Sequence, residues 1–309
     1  MDSICDIPGI HVGHAENLSA QTGCTVVLCE EGAVAGVDLR GSAPGTRETE
    51  LLRPGFLVRR VHAVVLAGGS AFGLDAAGGV QKYLEERGKG YDARGIRVPI
   101  VPTAVIFDLA NGDPAVKPDQ KMGYEACMKA SATEMRRGRV GVGAGATVGK
   151  ILGMEFSMPA GVGMASEMLP GDIIVAALVV VNSLGDVVNP QNGEIVAGAR
   201  NPLGKGFLDT VAFMKRQSFE SPLPAENTTL AVVATNAEFD KEGINKLAQM
   251  AQNGIGRTIR PAHTMYDGDL VFALSYGSKQ SDVNLLGEVA AEVVARAILD
   301  AVTAGQKEM

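Results

Sequence analysis

The sequence has little of several residue types that mark specialised classes of protein. It contains no tryptophan and only four cysteines, and aromatic residues make up 5% of its 309 positions. The cysteines form no CxxC pair and show no zinc-ligand spacing, so the sequence predicts neither a redox motif nor a zinc site. We expect the four to be reduced, buried, small hydrophobic residues: Cys5, Cys24, Cys29 and Cys127.

The sequence also lacks an excess of basic residues and a long apolar run. The formal net charge is −7 and no basic stripe is present, which argues against nucleic acid as a partner. The longest apolar run, Ile173–Val181, is too short to span a bilayer and predicts a buried strand instead. The first ten residues, "MDSICDIPGI", lack the basic region and apolar core of a signal peptide. We therefore expect a cytoplasmic protein without a membrane partner.

Glycine, by contrast, is abundant. The chain has 39 glycines, clustered in stretches such as "LAGGSAFG" and "VGVGAGATVG" without a fixed period. The lack of a period excludes collagen-like and repeat architectures. The clusters predict tight turns and close approach of one backbone segment to another.

Short β-branched segments alternate with amphipathic ones along most of the chain. Strands are predicted in "GCTVVLC", "AVAGVDL", "HAVVLAGG", "VPIVPTAVIF" and "DIIVAALVVVN". Helices are predicted over Ala71–Glu86, Asp119–Arg137, Phe207–Arg216, Asp240–Gln252 and Val283–Val302. This mixed order predicts layered α/β architecture, with helices on both outer sides of the sheets.

The best candidate for a domain boundary is the polar segment Ser218–Asn227. The part that follows it is too small to form a core of its own, so its first predicted strand, Leu230–Thr235, belongs in a sheet begun earlier. We therefore predict one α/β domain over residues 1–309.

The stretch "SPLPAENTTLAVVAT", residues 221–235, changes character at one point. A polar, proline-punctuated loop stops at Asn227, two threonines follow, and an apolar β-branched run begins. One interpretation is a loop that enters a sheet. The other is a scissile peptide bond before Thr228, which would become a new N-terminus and a nucleophile.

Two polar residues at the ends of apolar segments are further candidates. Lys150 closes "GAGATVGK", which is not a phosphate loop because Ala144 stands where that motif needs glycine and Ile151 where it needs Ser or Thr. Lys150 is then either a snorkelling surface lysine or part of a site. Asn182 ends the buried run and is either a turn residue or an amide donor for an oxyanion.

Asp267 and Asp269 flank Gly268 at the start of the apolar stretch "LVFALS". Alternation places both carboxylates on one face, and the glycine leaves room for a close approach. The pair is either a turn or an acid pair that orients an ammonium or shares a proton. His62 and His263 are isolated in the sequence, and no carboxylate–histidine cluster predicts a metal site.

Several phrases, in this order and spacing, are similar to the DmpA/NylC family of self-processing N-terminal-nucleophile hydrolases. They include "IPGIHVGHA", "GSAPGTRETELL", "VVLAGGSAFGLDAAGGV", "VVVNSLGDVV", "NTTLAVVATNA" and "HTMYDGDLVFAL". Members include L-aminopeptidase/D-Ala-esterase-amidases, β-peptidyl aminopeptidases and endo-type 6-aminohexanoate-oligomer hydrolases. The resemblance implies an αββα sandwich of the kind shared with ornithine acetyltransferases.

The resemblance also implies self-cleavage of the Asn227–Thr228 bond into chains 1–227 and 228–309. Thr228 would be the nucleophile of the second chain, Asp267 and Asp269 would hold or tune its amine, and Asn182 would serve the oxyanion. The remaining implied site residues are Lys150, which completes the constellation, and Phe72 and Gly268 at the substrate pocket. Phe72 stands near the position where some relatives carry a pocket tyrosine.

The Asn–Thr junction and the "DGD" element resemble the nylon-oligomer branch of the family. The better-known aminopeptidases instead have a Gly–Ser junction and a serine at the position of Asp267. The resemblance implies a homotetramer and requires no metal or organic cofactor.

The leading prediction is an amide or peptide hydrolase that forms an acyl-enzyme on Thr228. Its substrates would be the N-terminal residues of small peptides, or amino-acid amides and oligomers. Two alternatives stay open at the level of sequence. One is a self-cleaving N-acyltransferase of the ornithine acetyltransferase type, and the other is a non-catalytic binding or assembly protein on the same scaffold.

Overall fold

The computed structural model describes residues 2–216 and 227–307. Its central feature is a nine-stranded sheet. Eight strands follow one another in the order β10-β11-β14-β16-β2-β4-β7-β3, and β1 pairs with β2. The nine strands are β1 (His11–Asn17), β2 (Thr22–Leu39), β3 (Thr46–Arg47), β4 (Arg60–Ala67), β7 (Thr103–Val105), β10 (Val162–Leu169), β11 (Ile173–Asn182), β14 (Thr228–Ala237) and β16 (Leu270–Lys279).

Seven short strands form three small sheets beside it. They are β5 (Tyr91–Ala93), β6 (Ile96–Val98), β8 (Thr147–Val148), β9 (Met158–Pro159), β12 (Asp186–Val188), β13 (Ile195–Ala197) and β15 (Ile259–Arg260). The α-helices are α1 (Ala76–Glu85), α2 (Gln120–Met128), α3 (Thr210–Arg216), α4 (Lys241–Thr258) and α5 (Val283–Lys307). Among the described residues, no helix has both the length and the apolar character needed to cross a lipid bilayer.

The large sheet folds over on itself, and the long strand β2 joins its two halves. The first part of β2 pairs with β1, its last part pairs with β16, and its register with β4 shifts between Leu28 and Ala33. Leu66 of β4 and Val232 of β14 lie in one buried cluster, although β2 and β16 separate their strands in the sheet. The two halves are therefore stacked face to face around this cluster.

Helices cover both outer faces of the stacked sheet. Alternate residues such as Val179 and Val233 pack against α4 and α5, whereas Ala63 and Val65 pack against α1 and α2. This period-two division of the strand residues produces four layers. The predicted αββα sandwich is confirmed.

All five predicted helices are present, but each differs from its prediction at one end or both. The helix predicted over Asp119–Arg137 ends at Met128, because Ser131 exchanges backbone hydrogen bonds with Val12 of β1 and so continues as extended chain. The helix predicted from Ala71 begins only at Ala76, after a 3₁₀ segment. The predicted linker Ser218–Asn227 lies outside the described residues except for Asn227.

The strand order brings the sequence candidates to one end of the sheet. β14 is antiparallel to β11, which places Asn182 opposite Thr228. It is parallel to β16, with Leu230 beside Leu270. The starts of β14 and β16 and the end of β11 therefore meet at the same edge.

Candidate active site

Thr228 is the first residue of β14 and lies on the face between the two sheets. Residues 230 and 232 of the same strand belong to the inter-sheet cluster, so alternation directs the Thr228 side chain to that side. Its Oγ1 donates a hydrogen bond to the carbonyl oxygen of Asn227 at 2.5 Å. The neighbouring Thr229 is fully buried, and its Oγ1 has no hydrogen-bond partner among the described residues.

The carbonyl of Asn227 is held from a second side by Gly268. The Gly268 N–H donates to the Asn227 oxygen at 2.8 Å, and the Asn227 N–H donates to the Tyr266 carbonyl at 3.3 Å. A Cβ at position 268 would lie 2.8 Å from Thr228 Oγ1 and 2.9 Å from the carbonyl oxygen of Ala43. Only glycine therefore fits between the hydroxyl and the loop that contains Ala43.

Asn182 and Lys150 form a pair opposite Thr228. The Asn182 Oδ1 accepts from the Lys150 ammonium at 2.7 Å and from the Thr147 N–H at 3.1 Å. Its Nδ2 donates to the Phe107 carbonyl at 3.0 Å, which fixes the plane of the amide. Lys150 also donates to the Asn182 main-chain oxygen at 3.1 Å. The interpretation of Lys150 as a snorkelling surface lysine was therefore wrong.

Asp267 is buried, and its carboxylate is held by Thr264. Its Oδ2 accepts from the Thr264 N–H at 2.8 Å and from the Thr264 hydroxyl at 2.6 Å. Burial, and next the negative charge of Asp269, raise the pKa of Asp267 to about 6. A raised pKa makes this carboxylate a better proton acceptor than an ordinary aspartate.

Asp269 is equally buried and binds three donors. Its Oδ1 accepts from the Thr229 N–H at 2.7 Å. Its Oδ2 accepts from the His263 N–H at 2.9 Å and lies 3.0 Å from the His263 Nδ1. His263 is isolated in the sequence but meets Asp269 in the structure, because the chain between residues 263 and 269 turns back on itself. Its place within the "HTMYDGD" phrase is the signal that points to it.

A further buried carboxylate near the pair of Asn182 and Lys150 was missed in the sequence. Asp108 is 2% exposed, and its Oδ1 accepts from the Gly69 N–H at 2.7 Å. Burial raises its pKa, and the positive charge of Lys150 opposes that shift. A single aspartate directly after the apolar stretch "VPIVPTAVIF" is the only signal that the sequence offers for it.

Phe72 lies apart from this hydrogen-bonded group. It sits on the 3₁₀ segment Ser70–Asp75 and is 64% exposed. The contact that the structure gives its ring is with the Lys117 ammonium, 4.9 Å from the ring centroid. The place of Phe72 in a substrate pocket stays a prediction.

Comparison with known proteins agrees with the resemblance seen in the sequence. An uncharacterised aminopeptidase of Mycobacterium leprae is 42% identical in an alignment that covers 99% of this chain and 91% of that protein. A 6-aminohexanoate-oligomer endohydrolase of a Kocuria species is 33% identical, with 96% and 84% covered. Both alignments run through almost the whole chain, so the similarity is not confined to a motif.

A solved structure gives independent support for the fold. The L-aminopeptidase D-Ala-esterase/amidase from Ochrobactrum anthropi matches with a TM-score of 0.73 over 98% of this chain and 86% of that one. The identity is 18%, so this likeness concerns the fold alone, which is described there as a variant of the Ntn hydrolase fold. A profile of Peptidase family S58 matches residues 2–308. The predicted resemblance is thereby confirmed, and the chain belongs to Peptidase family S58.

Proposed function

We propose that this chain is a self-processing amide hydrolase whose nucleophile is Thr228. The observation that carries the proposal is the convergence of two donors on one carbonyl. The Thr228 hydroxyl and the Gly268 N–H both bind the oxygen of Asn227, directly before the proposed nucleophile. The hydroxyl bond keeps Oγ1 next to the Asn227 carbonyl, and the Gly268 N–H stabilises the negative charge that develops on the oxygen when the carbon is attacked.

The proposed self-cleavage is an N-to-O acyl shift followed by hydrolysis. Thr228 Oγ1 attacks the carbonyl carbon of Asn227, and the developing oxyanion is held by the Gly268 N–H. The C–N bond breaks, the hydroxyl proton passes to the leaving amine, and Asn227 is left as an ester on Oγ1. Water then hydrolyses the ester, which releases the Asn227 carboxylate and restores the Thr228 hydroxyl beside the amine that the shift has already freed. Asp267 is the carboxylate that we assign to the side of the freed amine, because it is buried and its backbone pairs with that of Asn227, directly before Thr228.

In turnover, the new amine takes over as the base. A free α-amine has a pKa of roughly 8 and lies on the same residue as the hydroxyl that it activates. We assign Asn182 and Lys150 to the substrate side, because the ammonium fixes the amide at the position opposite Thr228 in the sheet. Asp267 and Asp269 orient the cut end of the strand.

The names of the relatives bear on the substrate. Proteins named aminopeptidase and proteins named 6-aminohexanoate-oligomer endohydrolase both align over nearly the whole chain. We propose a linear amide as substrate, either the N-terminal residue of a small peptide or an amino-acid amide or oligomer. We further propose a cytoplasmic homotetramer, in line with the family resemblance.

Intact-mass analysis with N-terminal sequencing tests the proposal. The active protein should separate under denaturing conditions into chains 1–227 and 228–309, and the smaller should begin Thr-Thr-Leu-Ala. Thr228→Ala should stop both cleavage and turnover, whereas the matched variant Thr229→Ala should still be cleaved, since that side chain faces away from the Asn227 carbonyl. A fully active, uncut protein would refute the mechanism. Transfer of the acyl group to an added amine in preference to water would identify an acyltransferase instead.

A further inference from the structure

His263 and Asp269 are joined by two contacts to a single oxygen. The His263 N–H donates to Asp269 Oδ2 at 2.9 Å, and the ring Nδ1 lies 3.0 Å from the same atom. A carboxylate oxygen accepts hydrogen bonds, so the proton of the ring must be on Nδ1. Main chain and side chain of one residue therefore clamp one end of the Asp269 carboxylate.

The second oxygen of the Asp269 carboxylate contacts Thr229, the residue after the proposed nucleophile. Asp269 Oδ1 accepts from the Thr229 N–H at 2.7 Å, and the carboxylate is almost fully buried. The Thr229 nitrogen belongs to the peptide group that follows Thr228. Fixing this group sets the backbone direction of Thr228, and with it the direction of the amine that cleavage would release.

The backbone conformation of His263 is a further sign that its hydrogen bonds to Asp269 serve the site. His263 has a φ of 58°, in the left-handed region that only a few per cent of non-glycine residues occupy. A conformation of this kind persists when surrounding contacts impose it, and such residues gather at functional sites. The hydrogen bonds that hold His263 in this conformation include the two to Asp269.

We propose that His263 is a positioning residue that acts through Asp269 on the Thr228 nucleophile. This inference rests on the proposed function, because it needs Thr228 to be the reacting residue. The side chain of His263 is 20% exposed and has no contact with the Thr228 hydroxyl among the hydrogen bonds of the described residues. Its effect therefore passes through the carboxylate and the Thr229 N–H.

Two substitutions separate the ring donor from the backbone conformation. His263→Gly removes the donor and accepts a positive φ freely. His263→Asn keeps an N–H donor near the position of Nδ1 and also tolerates the left-handed region. We expect His263→Gly to lower kcat and the self-cleavage rate by about 10- to 100-fold with little change in KM, the scale for misplaced reacting groups. His263→Asn should restore most of both rates.

Arg94→Gly is the matched control for backbone effects. Arg94 also has a φ of 58° but lies in the turn between β5 and β6, so its replacement should leave kcat and cleavage unchanged. Equal kcat in wild type and His263→Gly, with normal cleavage of Thr228 in both, would overturn the inference and leave the proposed function intact. A wild-type protein that is active but uncut would overturn the proposed function itself. Equal loss in the Gly and Asn variants would also overturn the inference, since the donor would then not matter.

A second measurement is made on the wild-type ring itself, and His263→Asn is used only to assign its signal. Nitrogen-15 NMR of the wild-type imidazoles reports which ring nitrogen carries the proton. A proton on Nδ1 of His263, in the signal that disappears in His263→Asn, is the expected result. A neutral ring with its proton on Nε2 alone cannot donate to Asp269, and that result would overturn the inference.

Discussion

Replacing Asp269 with asparagine should destabilise the folded chain, because an amide cannot satisfy the donors that the carboxylate satisfies. The carboxylate has two acceptor oxygens, one facing the Thr229 N–H and the other facing two donors of His263. Asparagine has one oxygen and one NH₂ group. In either orientation, the NH₂ group of the variant points at an N–H that is already a donor.

The orientation of the new amide determines how far the free energy of unfolding falls. With its oxygen towards His263, the variant leaves only the Thr229 N–H without an acceptor, and one buried unsatisfied donor costs about 1–3 kcal/mol. The opposite orientation leaves two donors unsatisfied and costs roughly twice as much. The first orientation should prevail, so we expect the free energy of unfolding to fall by about 1–3 kcal/mol. A shift of about 2–4 °C in Tm for each kcal/mol would accompany it.

Asp267→Asn is the matched comparison at the other end of the pair. Both hydrogen bonds to Asp267 come from Thr264 and reach one oxygen, Oδ2, so an amide oxygen can replace it. The substitution also removes a buried charge that lies beside Asp269. At pH 7 the variant should therefore be as stable as the parent or more stable, although both variants should lose about 100-fold in turnover.

Thermal and urea unfolding of both variants in the Thr228→Ala background would measure this difference, because that background keeps every protein in one covalent form. The expected order of Tm is Asp267→Asn at or above the parent and Asp269→Asn below it. A normal Tm for Asp269→Asn together with a lowered Tm for Asp267→Asn would refute the reasoning.

Three further predictions follow from the contacts at the site. Gly268→Ala should block self-cleavage on denaturing gels, since its Cβ would lie 2.8 Å from Thr228 Oγ1, whereas Gly256→Ala in α4 meets no atom within 4 Å and should be cleaved normally. Lys150→Met should lower kcat by about 10- to 100-fold with little change in Tm, because Asn182 Oδ1 loses its charged donor and keeps the Thr147 N–H; an unchanged kcat would remove Lys150 from the site. Because burial raises the pKa of Asp267 from 3.8 to about 6, the folded chain binds that proton more tightly than the unfolded chain does. The free energy of unfolding of Asp267→Asn, minus that of its parent, should therefore rise between pH 4 and 6 and then level off; a flat difference in urea titrations would contradict this.

Continuous apolar, β-branched runs allowed much of the fold to be predicted from the sequence. The runs that contain Val179 and Val233 predict buried strands, and in the structure their alternate residues are divided between the inner and outer clusters. The same rule has a consequence at the site. Alternate positions face alike, so the residue between the two aspartates, Gly268, is the one that faces Thr228.

The contacts that the sequence did not reveal depend on irregular backbone. His263 meets Asp269 through a turn with a left-handed residue, which has no periodic signature. The early end of α2 results from pairing between Ser131 and Val12, which are far apart in the chain. Local propensity cannot anticipate either of these, because the partner residue is supplied by the tertiary fold.

The central position of β14 decides what self-cleavage would do to the molecule as a whole. The segment 228–309 contributes β14 and β16, which lie side by side between β11 and β2 of the preceding segment. A cut before Thr228 would therefore leave two polypeptides interlocked, each completing the hydrogen bonds of the other. They would not part without breaking the sheet on both sides. Once unfolded, the two pieces would have to find each other again, so refolding would become bimolecular and dependent on concentration. After cleavage, dilution would therefore oppose refolding. The lifetime of the folded enzyme would then be set by its rate of unfolding.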